Sequence, residues 1–145
     1  MKVGEVMQAN VRSVPSDATA RDVAEIMRQG AFRHVPVVDA ASGHVVGIVS
    51  DRDLLNAGAV FDIELEERSE SGIPAEIVVS ALMTENPRTI GSDARLAEAV
   101  DLLGEKQYGA LPVVDDGRLV GILSYVDLLV VLRKLLAEHD AAPAR

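Results

Sequence analysis

The sequence contains no cysteine and no tryptophan, and its aromatic residues are limited to Phe32, Phe61, Tyr108 and Tyr125. Without cysteine there is no disulfide, no thiolate-bound metal and no thiol nucleophile. With so few rings, the core must be built from Val, Leu, Ile, Ala and Met. A surplus of positive charge is missing too. The formal net charge is −9, which argues against a general nucleic-acid binder, because such a protein needs a basic face to displace counterions from phosphates. A few local arginines can still hold a small anion, since global charge governs solubility and steering while a site is local. No apolar run approaches the length of a membrane span, and the opening Met1-Lys2-Val3-Gly4-Glu5 does not read as a signal peptide. A cytoplasmic protein without a membrane role is expected. What remains is ordinary globular matter: 145 residues, 48% apolar and 26% charged, enough for one domain or two very small ones with a real core.

The chain is internally duplicated. Val3 to Asp39 lies over Val79 to Asp115, bringing together Met7 with Met83, Asn10 with Asn86, Arg12 with Arg88, and Ser16-Asp17-Ala18 with Ser92-Asp93-Ala94. Pro36-Val37-Val38-Asp39 matches Pro112-Val113-Val114-Asp115 and, after a turn of different length, Gly43 to Leu55 matches Gly117 to Leu129. The same punctuation in the same order over this length is a duplication.

Each copy reads as β-α-β-β-α. Val11 to Val14 forms a short strand ending at Pro15, and Ser16 or Asp17 caps a helix with Ala20, Val23, Ala24, Ile26 and Met27 on one face and Gly30 at its end. Leu96, Ala99, Val100, Leu102 and Leu103 serve in the second copy. Val35 to Val38 is a strand carrying a proline. Turns at Asp39 to Gly43 and Asp115-Asp116-Gly117 lead into the apolar strands Val45 to Val49 and Leu119 to Leu123. A helix follows, short from Asp51 and long from Tyr125 to about Ala137. The expected organisation is a first repeat over residues 1–58, an acidic linker over 59–75, a second repeat over 76–138 and a frayed tail over 139–145. Pro74 suits the first turn of a helix running through Met83. The acidic run in the linker reads as a solvated connection.

One stretch organises both copies: Gly47-Ile48-Val49-Ser50-Asp51-Arg52-Asp53-Leu54-Leu55 returns as Gly121-Ile122-Leu123-Ser124-Tyr125-Val126-Asp127-Leu128-Leu129. A serine at a helix start with a carboxylate three positions on is a capping pair. A helix start fed from a strand also suits an anion. The two roles are compatible.

With these residues in view, the chain resembles a pair of cystathionine β-synthase (CBS) domains, the tandem also called a Bateman module. The marks are Val3-x-x-Val6-Met7, Pro15-Ser16-Asp17-Ala18-Thr19, His34-Val35-Pro36-Val37-Val38-Asp39 and Gly47-Ile48-Val49-Ser50-Asp51-Arg52-Asp53-Leu54, all repeated in the second half, more weakly at its first helix. The resemblance implies an α/β (α+β) fold of two repeats related by a pseudo-two-fold and packed through their sheets, with two clefts between them. It implies binding of adenine compounds such as AMP, ADP, ATP, S-adenosylmethionine or NAD, with Mg²⁺ only alongside ATP or ADP. It also implies disk-like homodimers and regulation, through a change of angle between repeats or subunits read by a protein partner. Carried over residue by residue, Asp53 and Asp127 accept hydrogen bonds from ribose hydroxyls, and Ser50 and Ser124 lie near phosphate. Arg33, His34, Val35 and Pro36, and Gly109, Ala110, Leu111 and Pro112, wall the adenine together with Val14 and Ile90.

Elementary chemistry agrees with that assignment. A fixed carboxylate can accept both hydroxyls of a diol, a purine needs a flat apolar slot, and a phosphate needs helix-start amides and cations. The copies differ in cations: Arg33, His34 and Arg52 stand where the second copy has Gly109, Ala110 and Val126. Unequal sites are expected, with the Asp53 site better suited to phosphate and the Asp127 site poorer or vacant. Arg12 and Arg88 read as solvated charges, and Tyr125 as filling an interface rather than stacking on a base. The helix from Val126 to Ala137 is too apolar for a lone surface helix, so self-association or packing on the opening segment is expected. The histidines at 34, 44 and 139 lack metal spacing, and no phosphate loop or nucleophile elbow appears. The reading is a non-catalytic, metal-free sensor of an adenine nucleotide. The alternative is a ligand-free dimerisation or protein-interaction module.

Overall fold

A computed structural model of the chain describes residues 1–30, 32–60, 77–105 and 108–143. Among the described residues, six strands and four α-helices run in the order β1 (Val14–Pro15), α1 (Ala20–Gly30), β2 (His34–Val38), β3 (Val45–Ser50), α2 (Asp51–Val60), β4 (Thr84–Glu85), α3 (Leu96–Glu105), β5 (Ala110–Asp115), β6 (Arg118–Ser124) and α4 (Tyr125–Ala141). Short 3₁₀ turns at Val3–Glu5 and Val79–Ala81 precede each repeat. The acidic linker beyond Val60, and the helix start expected at Pro74, lie outside the described residues. From Ile77 onward the segment is extended and then turns at Val79–Ala81, so the helix expected to run through Met83 is not formed there.

Two compact units result, and they are not contiguous in the chain: one comprises Val11–Pro87 with Asp116–Leu119, the other Met1–Asn10, Arg88–Asp115 and Val120–Arg145. In the first, the sheet order is β1-β2-β3-β4, with β1 parallel to β2 and the remaining pairs antiparallel. The strand β4 pairs Gly47 with Glu85 and Ile48 with Thr84, so the segment leading into the second repeat completes the sheet of the first. In the second unit β5 pairs with β6, a parallel bridge joins Ile90 to Val113, and an antiparallel bridge joins Gln8 to Ile122. The opening segment therefore sits on the second repeat's sheet as β4 sits on the first.

Each unit has its own apolar core. Val14, Val23, Ile26, Val35, Val37, Val49 and Leu54 fill the first. Val3, Ile90, Leu103, Leu111, Val113 and Leu123 fill the second, with Val6, Met7, Leu128 and Val131 packed against them. The packing of Met7 and Leu128 on one core fulfils part of the expectation for the last helix. Its outer face does not share in this: Leu129, Val130, Leu132, Leu135 and Leu136 stay exposed.

Local details correct the sequence reading in places. Helix α1 is capped by Thr19, not by Ser16 or Asp17. The Asp22 N–H donates to Thr19 Oγ1 (3.2 Å) and the Thr19 N–H to Asp22 Oδ2 (3.0 Å). On α3 only Leu96, Ala99 and Leu103 are buried, and Val100 faces outward. Asp116 and Gly117, at φ 51° and 80°, form the two-residue turn between β5 and β6, where a pair of positive φ angles favours Asp-Gly.

Candidate functional site

Both repeats build the junction between sheet and second helix in the same way. In the first, the Ser50 N–H donates to Asp53 Oδ2 at 2.7 Å and the Asp53 N–H to Ser50 Oγ at 3.1 Å. This reciprocal box satisfies two donors that a helix start leaves without partners. In the second, the Ser124 N–H (2.8 Å) and hydroxyl (3.2 Å) both donate to Asp127 Oδ2. The capping role read from sequence is present in both copies and is worth about 1 kcal/mol each.

Around Asp53 the structure gathers the first repeat's polar candidates. His34 is paired with Ser50 across β2 and β3, and the Asp51 N–H donates to the Arg33 carbonyl at 2.9 Å. Arg33 and Arg52 are exposed, whereas His34, Ser50 and Asp53 are half-buried. Burial pushes the His34 imidazole below its ordinary pKa; Asp51 and Asp53 oppose that shift and Arg33 adds to it. The junction thus offers two mobile-length cations, a neutral imidazole, a hydroxyl and a carboxylate. Among the described residues, Asp53 Oδ1 has no donor, in contrast to Oδ2.

The lowered His34 pKa makes stability depend on pH. The folded chain favours the neutral ring, so this contribution to stability is full above the ordinary value near 6.5 and is lost as pH falls through the folded value. Thermal unfolding between about pH 7.5 and 5 should therefore show wild type losing more stability on acidification than His34→Gln.

Val35, Pro36, Leu111 and Pro112 are fully buried and Ala110 nearly so, in β2 and β5. Val14 and Ile90 point into the two cores, with Ile90 tied to β5 by N–H donation to the Pro112 carbonyl (3.1 Å) and acceptance from the Val114 N–H (2.9 Å). Gly109 and Val126 bring no charge to the second junction. Tyr125 is exposed. Its hydroxyl donates to the Leu103 carbonyl in the last turn of α3. Arg12 and Arg88 are exposed. Among the described residues no cluster of His, Asp or Glu could hold a metal ion, and no helix is long and apolar enough to cross a membrane.

One participant escaped the sequence reading. Gln8 Nε2 donates to Asp127 Oδ1 at 2.9 Å. With Oδ2 engaged by Ser124, both oxygens of this carboxylate are occupied, and Asp127 is 7% exposed. The available signal was the break in the repeat next to Met7, where Gln8 faces Thr84 in the overlay.

The CBS domain model matches residues 3–60 and 79–134. The chain belongs to the CBS domain family. A CBS domain-containing protein of Dictyostelium discoideum is 33% identical over 138 residues, covering 92% of both chains. An uncharacterized protein of Methanopyrus kandleri is 30% identical, and there the match spans 94% of this chain but only 65% of the relative. The crystal structure of CBSX2 in complex with AMP is 28% identical, with a TM-score of 0.73 over 92% of this chain and 97% of that one. A CBS domain pair in complex with 5′-methylthioadenosine and S-adenosyl-L-methionine, at 22% identity and a TM-score of 0.78 over 93% and 98%, shares the fold. The α+β architecture of two tandem CBS repeats is thereby shown, and this is a family whose structures include adenine-ligand complexes.

Proposed function

We propose that this CBS pair is a regulatory module that binds an adenine nucleotide and catalyses nothing. The observation that carries the reading is the Asp53 junction: a positioned carboxylate with one oxygen that has no donor among the described residues, a helix start, and Arg33, His34 and Arg52 at the start of β2 and of α2. A ribose diol supplies two donors for such an oxygen, and phosphate suits the helix-start amides and guanidinium groups. Ser50 lies near phosphate, and the backbone from Arg33 to Pro36, leading into β2, borders the base with Val14. The matching set of Ile90, Gly109 to Pro112, Ser124 and Asp127 forms the weaker counterpart. AMP, ADP, ATP and S-adenosylmethionine are the candidate ligands, with Mg²⁺ relevant only to ADP and ATP. The AMP complex of the related CBSX2 supports the class.

The module acts as a cytoplasmic homodimer whose ligand state is read by a protein partner. The exposed apolar side chains of α4 support self-association. Thermal unfolding against AMP, ADP, ATP, S-adenosylmethionine and NAD, with and without Mg²⁺, tests the proposal. A ligand at about a hundred times its Kd adds about 2.7 kcal/mol, a rise in Tm of roughly 5 to 10 °C for a chain of this size. No rise with any of them, in folded protein free of co-purified nucleotide, favours the dimerisation and interaction module instead.

A further inference from the structure

The two repeats present the same carboxylate in different states, and the segments paired to their sheet edges differ at one residue, Gln8 against Thr84. Gln8 is held on β6 by two backbone hydrogen bonds, its N–H to the Ile122 carbonyl (2.9 Å) and the Ile122 N–H to its carbonyl (3.0 Å). That anchorage aims its side-chain amide at Asp127 Oδ1. On the first repeat, Thr84 occupies the same register opposite Ile48, the counterpart of Ile122. A threonine hydroxyl is shorter than a glutamine amide by two bonds, and among the described residues no donor reaches Asp53 Oδ1. Asp127 is buried at 7% exposure while Asp53 is half-buried.

Resting on the adenine-nucleotide reading above, we infer that Gln8 is the specificity-determining residue that closes the second repeat to ligand. Its amide occupies the acceptor that a ribose hydroxyl would need. A diol must displace an existing charge-assisted hydrogen bond at Asp127, whereas at Asp53 it meets an acceptor with no donor among the described residues. The inequality of the sites is therefore set twice over, by the missing cations around Gly109, Ala110 and Val126 and by the internal donor from the opening segment. The second cause is the reversible one. Any event that lifts the opening segment from β6 unmasks Asp127.

Isothermal titration of AMP into wild type, Gln8→Thr and Thr84→Gln, with Asp53→Asn added to the first two, tests this. Wild type should bind a single equivalent, which Asp53→Asn removes. Gln8→Thr should gain a second equivalent that survives in the Asp53→Asn background. Thr84→Gln, an independent variant at the other sheet edge, should weaken the remaining site by about tenfold or more by supplying the amide that Asp53 lacks. Thermal unfolding of each protein confirms that it is folded. Equal stoichiometry in wild type and Gln8→Thr, with all binding removed by Asp53→Asn, overturns the inference and leaves the nucleotide reading intact. A wild type that already binds two equivalents overturns it as well. Absence of binding in every protein, with AMP and likewise with ADP, ATP, S-adenosylmethionine and NAD, overturns the nucleotide reading and this inference with it.

Discussion

Asp53→Ala should remove most or all of the ligand-induced rise in Tm while lowering the stability of the unliganded protein only by about 1 kcal/mol, the worth of a helix cap. The separation is possible because Asp53 divides its labour. Oδ2 takes the Ser50 N–H and closes the capping box, while Oδ1 has no described donor. Loss of the cap is local and small. Loss of the diol acceptor costs a charge-assisted pair of hydrogen bonds in a half-buried setting, about 2 to 4 kcal/mol, or roughly thirty- to a thousandfold in affinity. Asp127→Ala should invert this pattern. It leaves the Gln8 amide and the Ser124 N–H without their acceptor beside a buried position, at about 2 kcal/mol or more, and it leaves the ligand response of the Asp53 site in place. Parallel melts of the two variants with and without AMP distinguish the roles.

Gly121→Ala should destabilise the protein by about 2 kcal/mol, a fall of several degrees in Tm. Gly47→Ala, at the matching position, should cost about 1 kcal/mol or less. A methyl group at position 121 would stand 2.9 Å from the Gln8 carbonyl oxygen and 2.5 Å from Met7 Sδ. The carbonyl belongs to the backbone pair that holds the opening segment to β6, so it cannot yield without breaking that pair. At position 47 the atoms met all belong to the Met83 side chain, and a methionine can swing aside. The glycine of this recurring stretch is thus required where a neighbouring segment crosses it closely, more stringently in the second repeat. Amide exchange should show the difference directly, with Gln8 and Ile122 losing protection in Gly121→Ala while Ile48 and its neighbours keep theirs in Gly47→Ala.

Much of the fold was legible because the duplication let each half check the other. The strands at Val35 and Val45, the helix from Asp51, the long helix from Tyr125 and the Asp-Gly turn all carry local signals: period, punctuation, caps. What escaped lacked a local signal. The strand β4 is only Thr84–Glu85, too short to show alternation, and its pairing with Gly47 and Ile48 is set by distant backbone. Thr19 displaced Ser16 and Asp17 as the α1 cap because the chain first leaves Pro15 in a turn, closed by the Ala18 N–H to the Pro15 carbonyl. Val100 lay within the apolar run of α3 yet faces outward, since three buried positions suffice to seat a helix of ten residues.

The site divides the same way. The Ser–Asp capping pairs could be read from spacing three residues apart, and the structure forms both. The engagement of Asp127 could not, because its second partner, Gln8, comes from the opposite end of the chain. Sequence alone found the inequality of the two repeats through charge: Arg33, His34 and Arg52 against Gly109, Ala110 and Val126. The hydrogen-bond state of the two carboxylates is a second asymmetry, independent of the first and pointing the same way.

The most direct test of the central claim is a ¹⁵N–¹H NMR titration of the assigned protein with AMP. Saturable shifts concentrated at the amides of Arg33 to Val35 and Ser50 to Asp53, with Ser124 to Asp127 nearly unmoved, are expected. A spectrum that does not change with AMP or any other adenine compound, or one whose shifts centre on Ser124 to Asp127 and bypass Asp53, would contradict it.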